Sequence, residues 1–250
     1  MEVVSVGFAP VKGTRHTSYD AVTLDGHGPV GDRTFCLIGA ANRRLLKTVP
    51  HRALLAVRAA WNGETLELSL PSGQSVSGPA TPSGEHVTCD YWGRSVVHEL
   101  TDGPHSEALS TYLGKDVRLV ASPRGGAVYG APVSILTTAS LRDLGERTGR
   151  TDLLDTASRF RMTMVVDAGD EPYVEESWFG RELTLGDAVV RVRAPVGRCG
   201  VIDLDPTTGE KDGSLLKALV GYRPTTGGEP WFGVDATVVT AGVVAPRWPM

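Results

Sequence analysis

The stretch AVVRVRAPVGRCG, residues 188–200, decides what kind of protein this is. Val190 and Val192 fall on one side of an extended chain and Arg191 and Arg193 on the other, the period of a strand with one buried face. Pro195 and Gly197 then break the strand, and Arg198-Cys199 follow where the chain turns irregular. Asp203 and Asp205 come shortly after, with Pro206-Thr-Thr-Gly209 forming a turn.

Similar short runs recur outward in both directions, at 3–8, 54–60, 65–70, 95–100, 117–121, 162–167, 182–185 and 234–241. Asn62-Gly63 between two of them is a hairpin signal. Many short strands with few helices favour a barrel or sandwich over a parallel sheet covered by helices. Helix signals are confined to 106–113, 140–148 and 214–220. Ser140 is the expected N-cap of the second, with Asp143 at the capping-box position. Two Gly-, Pro- and Ser-rich stretches, 71–85 and 122–131, read as surface loops able to edge a binding site.

The chain has 250 residues, 41% of them hydrophobic, enough for one large domain or two small ones. A net charge of -4 argues against a nucleic-acid binder and leaves room for a local basic pocket. No apolar run reaches membrane-spanning length, and MEVVSVGF reads as a strand with no secretory signal before it. A cytoplasmic address is therefore expected. Three well-separated cysteines, Cys36, Cys89 and Cys199, make neither a disulfide framework nor a zinc knuckle.

Chemistry concentrates in a few places. Cys199 leaves a strand beside Arg198, which suits a metal-bound or reactive thiolate as well as a small buried residue. Arg159 and Arg161 in Ser158-Arg-Phe-Arg161 share one face if the segment is a strand, and their guanidinium forks suit a phosphate. Phe160 then points into the core. Gly31-Asp32-Arg33 reads as a turn with a salt bridge, and Lys12 as a loop lysine, solvated or part of the same site. One carboxylate of Glu175-Glu176 is expected to pair with an arginine of the site, near Trp178.

Taken in order, these segments resemble the MOSC family, named for the C-terminal domain of molybdenum cofactor sulfurase. The likeness runs through Pro10-Val11-Lys12, Gly31-Asp32-Arg33, the segment 132–141, Arg159-Phe160-Arg161, Glu175 with Trp178, and Arg198-Cys199 with Asp205-Pro-Thr-Thr-Gly209. It implies a mainly β, mixed β-barrel-like fold with a few short helices, residues 1–100 forming an N-terminal β-barrel subdomain and 101–250 the MOSC domain. It implies the molybdenum cofactor, a pterin (molybdopterin) with a phosphate and a dithiolene-held metal. Cys199 would be the thiolate ligand to molybdenum. Lys12, Arg33, Thr138, Ser140, Arg159, Arg161, Thr163 and Arg198 would bind the cofactor. Where the family continues R-F-R-P-N, this chain has Met162-Thr163. Thr163 takes the place of the amide, at a position carrying both a cofactor-binding and a catalytic role.

The implied activity is reduction of N-hydroxylated small molecules by N–O cleavage. Electrons would come from a separate protein such as a ferredoxin or flavoprotein, because Trp248-Pro-Met250 follows with no fused ferredoxin-like tail. No nucleic acid or membrane partner is expected. Three other readings share these residues: sulfur transfer through a Cys199 persulfide, a non-enzymatic cofactor carrier, and a pyridoxal-phosphate protein. The last is disfavoured because no lysine is clearly placed for a Schiff base.

Overall fold

The computed structural model describes residues 1–247; Trp248-Pro-Met250, and with them the expectation about a tail, lie outside the described residues. The larger of its sheets has eight strands. Its path runs Glu182–Leu185, Ala188–Gly197, Glu229–Thr240, Val133–Thr137, Met164–Asp167, Glu2–Phe8 and Thr17–Tyr19, with Thr225–Thr226 pairing off the path. Val190 and Val192 are buried and Arg191 and Arg193 exposed, as the alternation requires. The buried valines join Val133, Ile135, Met164, Val166, Val234 and Ala236 in one apolar cluster on the inner face.

Val133–Thr137 and Met164–Asp167 are parallel, so the chain between them must cross over. Helix α2 (Thr138–Thr148) opens that crossover. Its cap is Thr137, whose side chain accepts from Ser140 N at 3.2 Å. The sequence placed the cap at Ser140. The helix starts earlier because Thr137 still has an extended backbone while a hydroxyl is already in reach of the exposed amides. The helices α1 (His105–Leu113) and α3 (Leu215–Val220) lie where expected.

A second sheet of four strands runs Phe35–Gly39, Val117–Ala121, Arg94–Asp102 and Thr81–Tyr91. A third, of Arg58–Trp61, Thr65–Ser69 and Ser75–Pro79, contains the hairpin at Asn62-Gly63. The stretch 71–85 is therefore not a loop: it supplies Ser75–Pro79 and the start of Thr81–Tyr91. Its small polar residues pair through the backbone on largely exposed strands, leaving no apolar alternation to read.

The smallest sheet joins distant parts of the chain, with Gly242–Val244 antiparallel to Val22–Asp25 and Arg247 N donating to Val3 O at 3.0 Å. Residue 100 falls inside the strand Arg94–Asp102, and Phe35–Gly39 pairs with Val117–Ala121 from beyond it. The fold is mainly β, as expected; among the described residues no sheet closes into a barrel. No helix of the described residues is long and apolar enough to cross a membrane.

Candidate functional site

A cavity of about 360 Å³ opens between the ends of the two largest sheets. One wall is built from residues at the ends of strands. Cys199 follows the strand that ends at Gly197, is exposed, and faces this cavity. The sequence expectation of a thiol presented at a strand end therefore matches the geometry. Lys12 arrives from the end of Glu2–Phe8, Arg33 from the entry to Phe35–Gly39, and Arg161 and Thr163 from the entry to Met164–Asp167.

The cations are the notable charge feature. Arg161 is a non-glycine residue in the left-handed region, at φ 54°. That backbone reversal turns its guanidinium toward the cavity, where Nη1 donates to Thr14 O at 2.8 Å. Burial pushes Arg161 down to about 10, with nearby Arg33 adding to the effect. Arg198 is buried; Nη2 donates to Phe160 O at 2.5 Å and Nη1 to Met162 Sδ at 3.3 Å. Its Nε has no hydrogen-bond partner among the described residues. Burial lowers it also to about 10, against an opposing pull from Cys199.

Neither of these guanidiniums, Arg161 half-buried and Arg198 buried, forms an ion pair with a carboxylate among the described residues. Glu229 offsets part of the Arg198 charge and Asp32 part of the Arg161 charge; cations withdrawn from water without a direct ion pair are costly, so this wall suits an anion.

Lys12 is buried, not solvated. Its Nζ donates to Leu46 O at 3.3 Å and lies 5.4 Å from the Trp92 ring centroid. Burial lowers it to about 8, with Arg33 and Arg161 acting in the same direction. Two lysines, Lys12 and Lys47, line the cavity. Arg33 pairs with Asp32 in the turn expected of Gly31-Asp32-Arg33. Thr163 Oγ1 accepts from Ser134 N at 3.1 Å while Thr163 N donates to Ser134 Oγ at 3.0 Å. These reciprocal bonds hold the hydroxyl at the cavity wall.

Three expected cofactor ligands lie elsewhere. Arg159 and Arg161 do not share a face, because 157–160 form a 3-10 turn and not a strand. Arg159 turns into the interior and pairs with Asp212. Thr138 and Ser140 do not line the cavity; Ser140 Oγ donates to the buried Glu175 carboxylate at 2.8 Å. Glu175 is held by Thr137 and Ser140 and by no arginine. Glu176 instead pairs with Arg223. Burial raises the Glu175 carboxyl above its ordinary range.

The structure adds residues that sequence reasoning missed: Lys47, Trp92, Tyr129, Ser134, Glu229 and Asp235. Asp235 Oδ2 accepts from Ala131 N at 2.8 Å, while its buried Oδ1 has no hydrogen-bond partner. The basic run at 43–52 and the Trp92-Gly93 pair between two strand-like segments were the available signals for the first two. Among the described residues no cluster of three or more His, Cys, Asp or Glu side chains could hold a metal ion. A metal here would take Cys199 as a lone protein ligand and bring its other ligands with it. One accessible thiol, two guanidiniums outside any ion pair among the described residues and a cavity large enough for a small organic cofactor fit such a group.

Comparison with known proteins bears on the same region. The sequence model of the MOSC domain matches residues 111–246. Two curated relatives are each named molybdenum cofactor sulfurase. The Caenorhabditis elegans protein is 24% identical over 230 residues, 88% of this chain and 31% of that protein. The Caenorhabditis briggsae protein is 33% identical over 107 residues, 43% of this chain and 15% of that protein. The chain thus spans about a third or less of the length of these relatives. Among solved structures, the YUAD protein from Bacillus subtilis aligns at a TM-score of 0.45 and 10% identity, over 98% of this chain and 91% of that one.

Proposed function

The chain belongs to the MOSC domain family, and from that premise we propose that its cavity holds the molybdenum cofactor and that the loaded protein reduces N-hydroxylated small molecules. The observation that carries this reading is the half-buried Arg161 and the buried Arg198, neither in an ion pair among the described residues, beside the accessible Cys199 thiol. Arg161, Arg198 and protonated Lys12 would neutralise the cofactor phosphate, and Cys199 would give the metal a thiolate. Thr163 and Asp235 would orient the pterin or the substrate through hydrogen bonds.

The cofactor, when bound, supplies two-electron chemistry that this chain's side chains lack. The overall step consumes two electrons and two protons, converting an N–OH group into N–H and water. The electrons would come from a separate redox protein of the ferredoxin or flavoprotein type.

The test is metal and pterin analysis of protein made in cells that synthesise the cofactor. About one molybdenum and one pterin per chain is the expected result, followed by amidoxime reduction with a chemical reductant. Protein that holds neither, and takes up neither on reconstitution, would sink the reading.

A second reading is sulfur transfer. It is favoured by the exposure of Cys199 next to a cationic wall and by the relatives' name. Arg198 beside the thiol and the arginines around an anionic acceptor would serve it. A persulfide on Cys199 in the intact mass, with no molybdenum retained, would establish it over the first.

A further inference from the structure

The outer end of the cavity differs in chemistry from its cationic interior. Trp92 and Tyr129 both line it, and they are 47% and 58% exposed. Their ring centroids lie 5.7 Å apart at 60°. Two aromatic rings left half in water side by side at a cavity mouth make an apolar platform that a ligand can cover.

The backbone under Trp92 points the same way. Tyr91 pairs with Arg94, which leaves Trp92-Gly93 as a two-residue turn. Both residues are left-handed, at φ 51° and 81°. This geometry favours asparagine or aspartate at the first position, and a bulky side chain there is strained. Asp90 Oδ1 accepts from Gly93 N at 3.0 Å and helps hold the turn. A strained tryptophan persists where its surroundings reward the side chain, and such positions cluster at ligand sites.

Charge completes the picture. Lys47 Nζ stands 5.2 Å from the Trp92 centroid. It is exposed, and forms no ion pair with a carboxylate among the described residues. The buried Lys12 Nζ lies 5.4 Å from the same centroid on the cavity side, and the exposed Lys47 ammonium offers a countercharge to a ligand lying against the platform.

We infer that the cavity mouth is a substrate subsite for a planar aromatic group bearing a negative charge, with the ring on Trp92 and Tyr129 and the charge on Lys47. The inference rests on the cofactor reading only in giving the inner, arginine-lined end to the cofactor. Ring stacking supplies affinity and Lys47 selects the anion.

Calorimetric titration of the purified chain with 2-naphthoate, 2-naphthamide and decalin-2-carboxylate tests it, with molybdenum and pterin measured on the same preparations. 2-Naphthoate should bind about tenfold or more tightly than either comparator. Lys47→Gln should erase its advantage over the amide. Trp92→Asn suits the turn backbone better, so it should keep a cooperative thermal transition while losing the aromatic preference. Equal binding of all three probes overturns the proposal. So does a Trp92→Asn variant that binds 2-naphthoate like the parent, or one that loses pterin, since the aromatic pair would then belong to the cofactor. If the parent chain holds no cofactor yet shows the Trp92-dependent preference, the subsite stands and the cofactor reading falls.

Discussion

Arg159 and Asp212 form a two-point ion pair inside the fold, Nη1 to Oδ1 and Nη2 to Oδ2 each at 3.0 Å. The Arg159 side chain has no solvent exposure, and Nη1 also donates to Ile202 O and Leu204 O at 3.2 and 3.3 Å. The pair ties the turn before Met164–Asp167 to the segment that follows Cys199. Arg159→Ala is therefore a stability variant. It leaves Asp212 with Arg150 alone, and because Asp212 is partly solvated the cost is set at about 2 kcal/mol, below that of a fully buried pair. Chemical denaturation measures it. An unchanged midpoint with lost cofactor would return Arg159 to the cofactor site.

Cys199→Ser should separate fold from function. The thiol is exposed and follows a strand end, so the substitution should change stability by no more than about 0.5 kcal/mol. Molybdenum retention should be abolished. A variant that unfolds without cooperativity would make the residue structural; one that keeps its metal would remove it as a ligand.

Glu175 should oppose stability above acidic pH. Burial raises its carboxyl in the folded chain, so the folded state binds that proton more tightly than the unfolded one. Stability from this group falls as pH rises through its ordinary value of 4.5 toward the raised one. Glu175→Gln keeps an acceptor for Ser140 and Thr137 and removes the buried charge. It should stabilise the chain at neutral pH and give no gain near pH 4. Destabilisation of equal size at both pH values would mean the carboxylate charge is structurally required. Asp212 has the opposite sign: hydrogen bonds from Arg159 lower its carboxyl, so its contribution is present near neutrality and is lost on acidification.

Lys12 makes anion binding depend on pH. Burial lowers it from 10.5 to about 8, so its charge is present in the folded cavity only below that range. Sulfate, whose own charge is constant there, should raise the melting temperature more at neutral pH than well above pH 8. Lys12→Gln should flatten the difference. A sulfate effect that is the same at both pH values in the parent would place the bound anion away from Lys12.

How far the sequence could be read follows from where each signal resides. The alternation at 188–194 is local, and it correctly predicts a strand with a buried valine face and Cys199 at its exit. Lys12, Arg33, Arg161, Thr163 and Arg198 converge as the ordered motifs suggest. Arg159 could not be separated from Arg161 because one left-handed residue, Arg161 at φ 54°, decides which guanidinium faces the cavity and which the interior. Ser140 lies three residues past the real cap, Thr137. Trp92, Lys47 and Tyr129 come from three separate turns and loops that meet only through tertiary packing, so no spacing rule joins them. The strands within 71–85 carry no apolar period because they are mostly exposed.

The pairing of Gly242–Val244 with Val22–Asp25 has a kinetic consequence. These partners are separated by most of the chain, so closing them is among the least local events in folding. During synthesis Val22–Asp25 emerges well before its partner and has to wait, its edge unpaired and open to wrong partners, until the matching strand leaves the ribosome. A nascent chain lacking only the last few residues described here would still be without one of its seams, and chaperone dependence should be greatest in that interval.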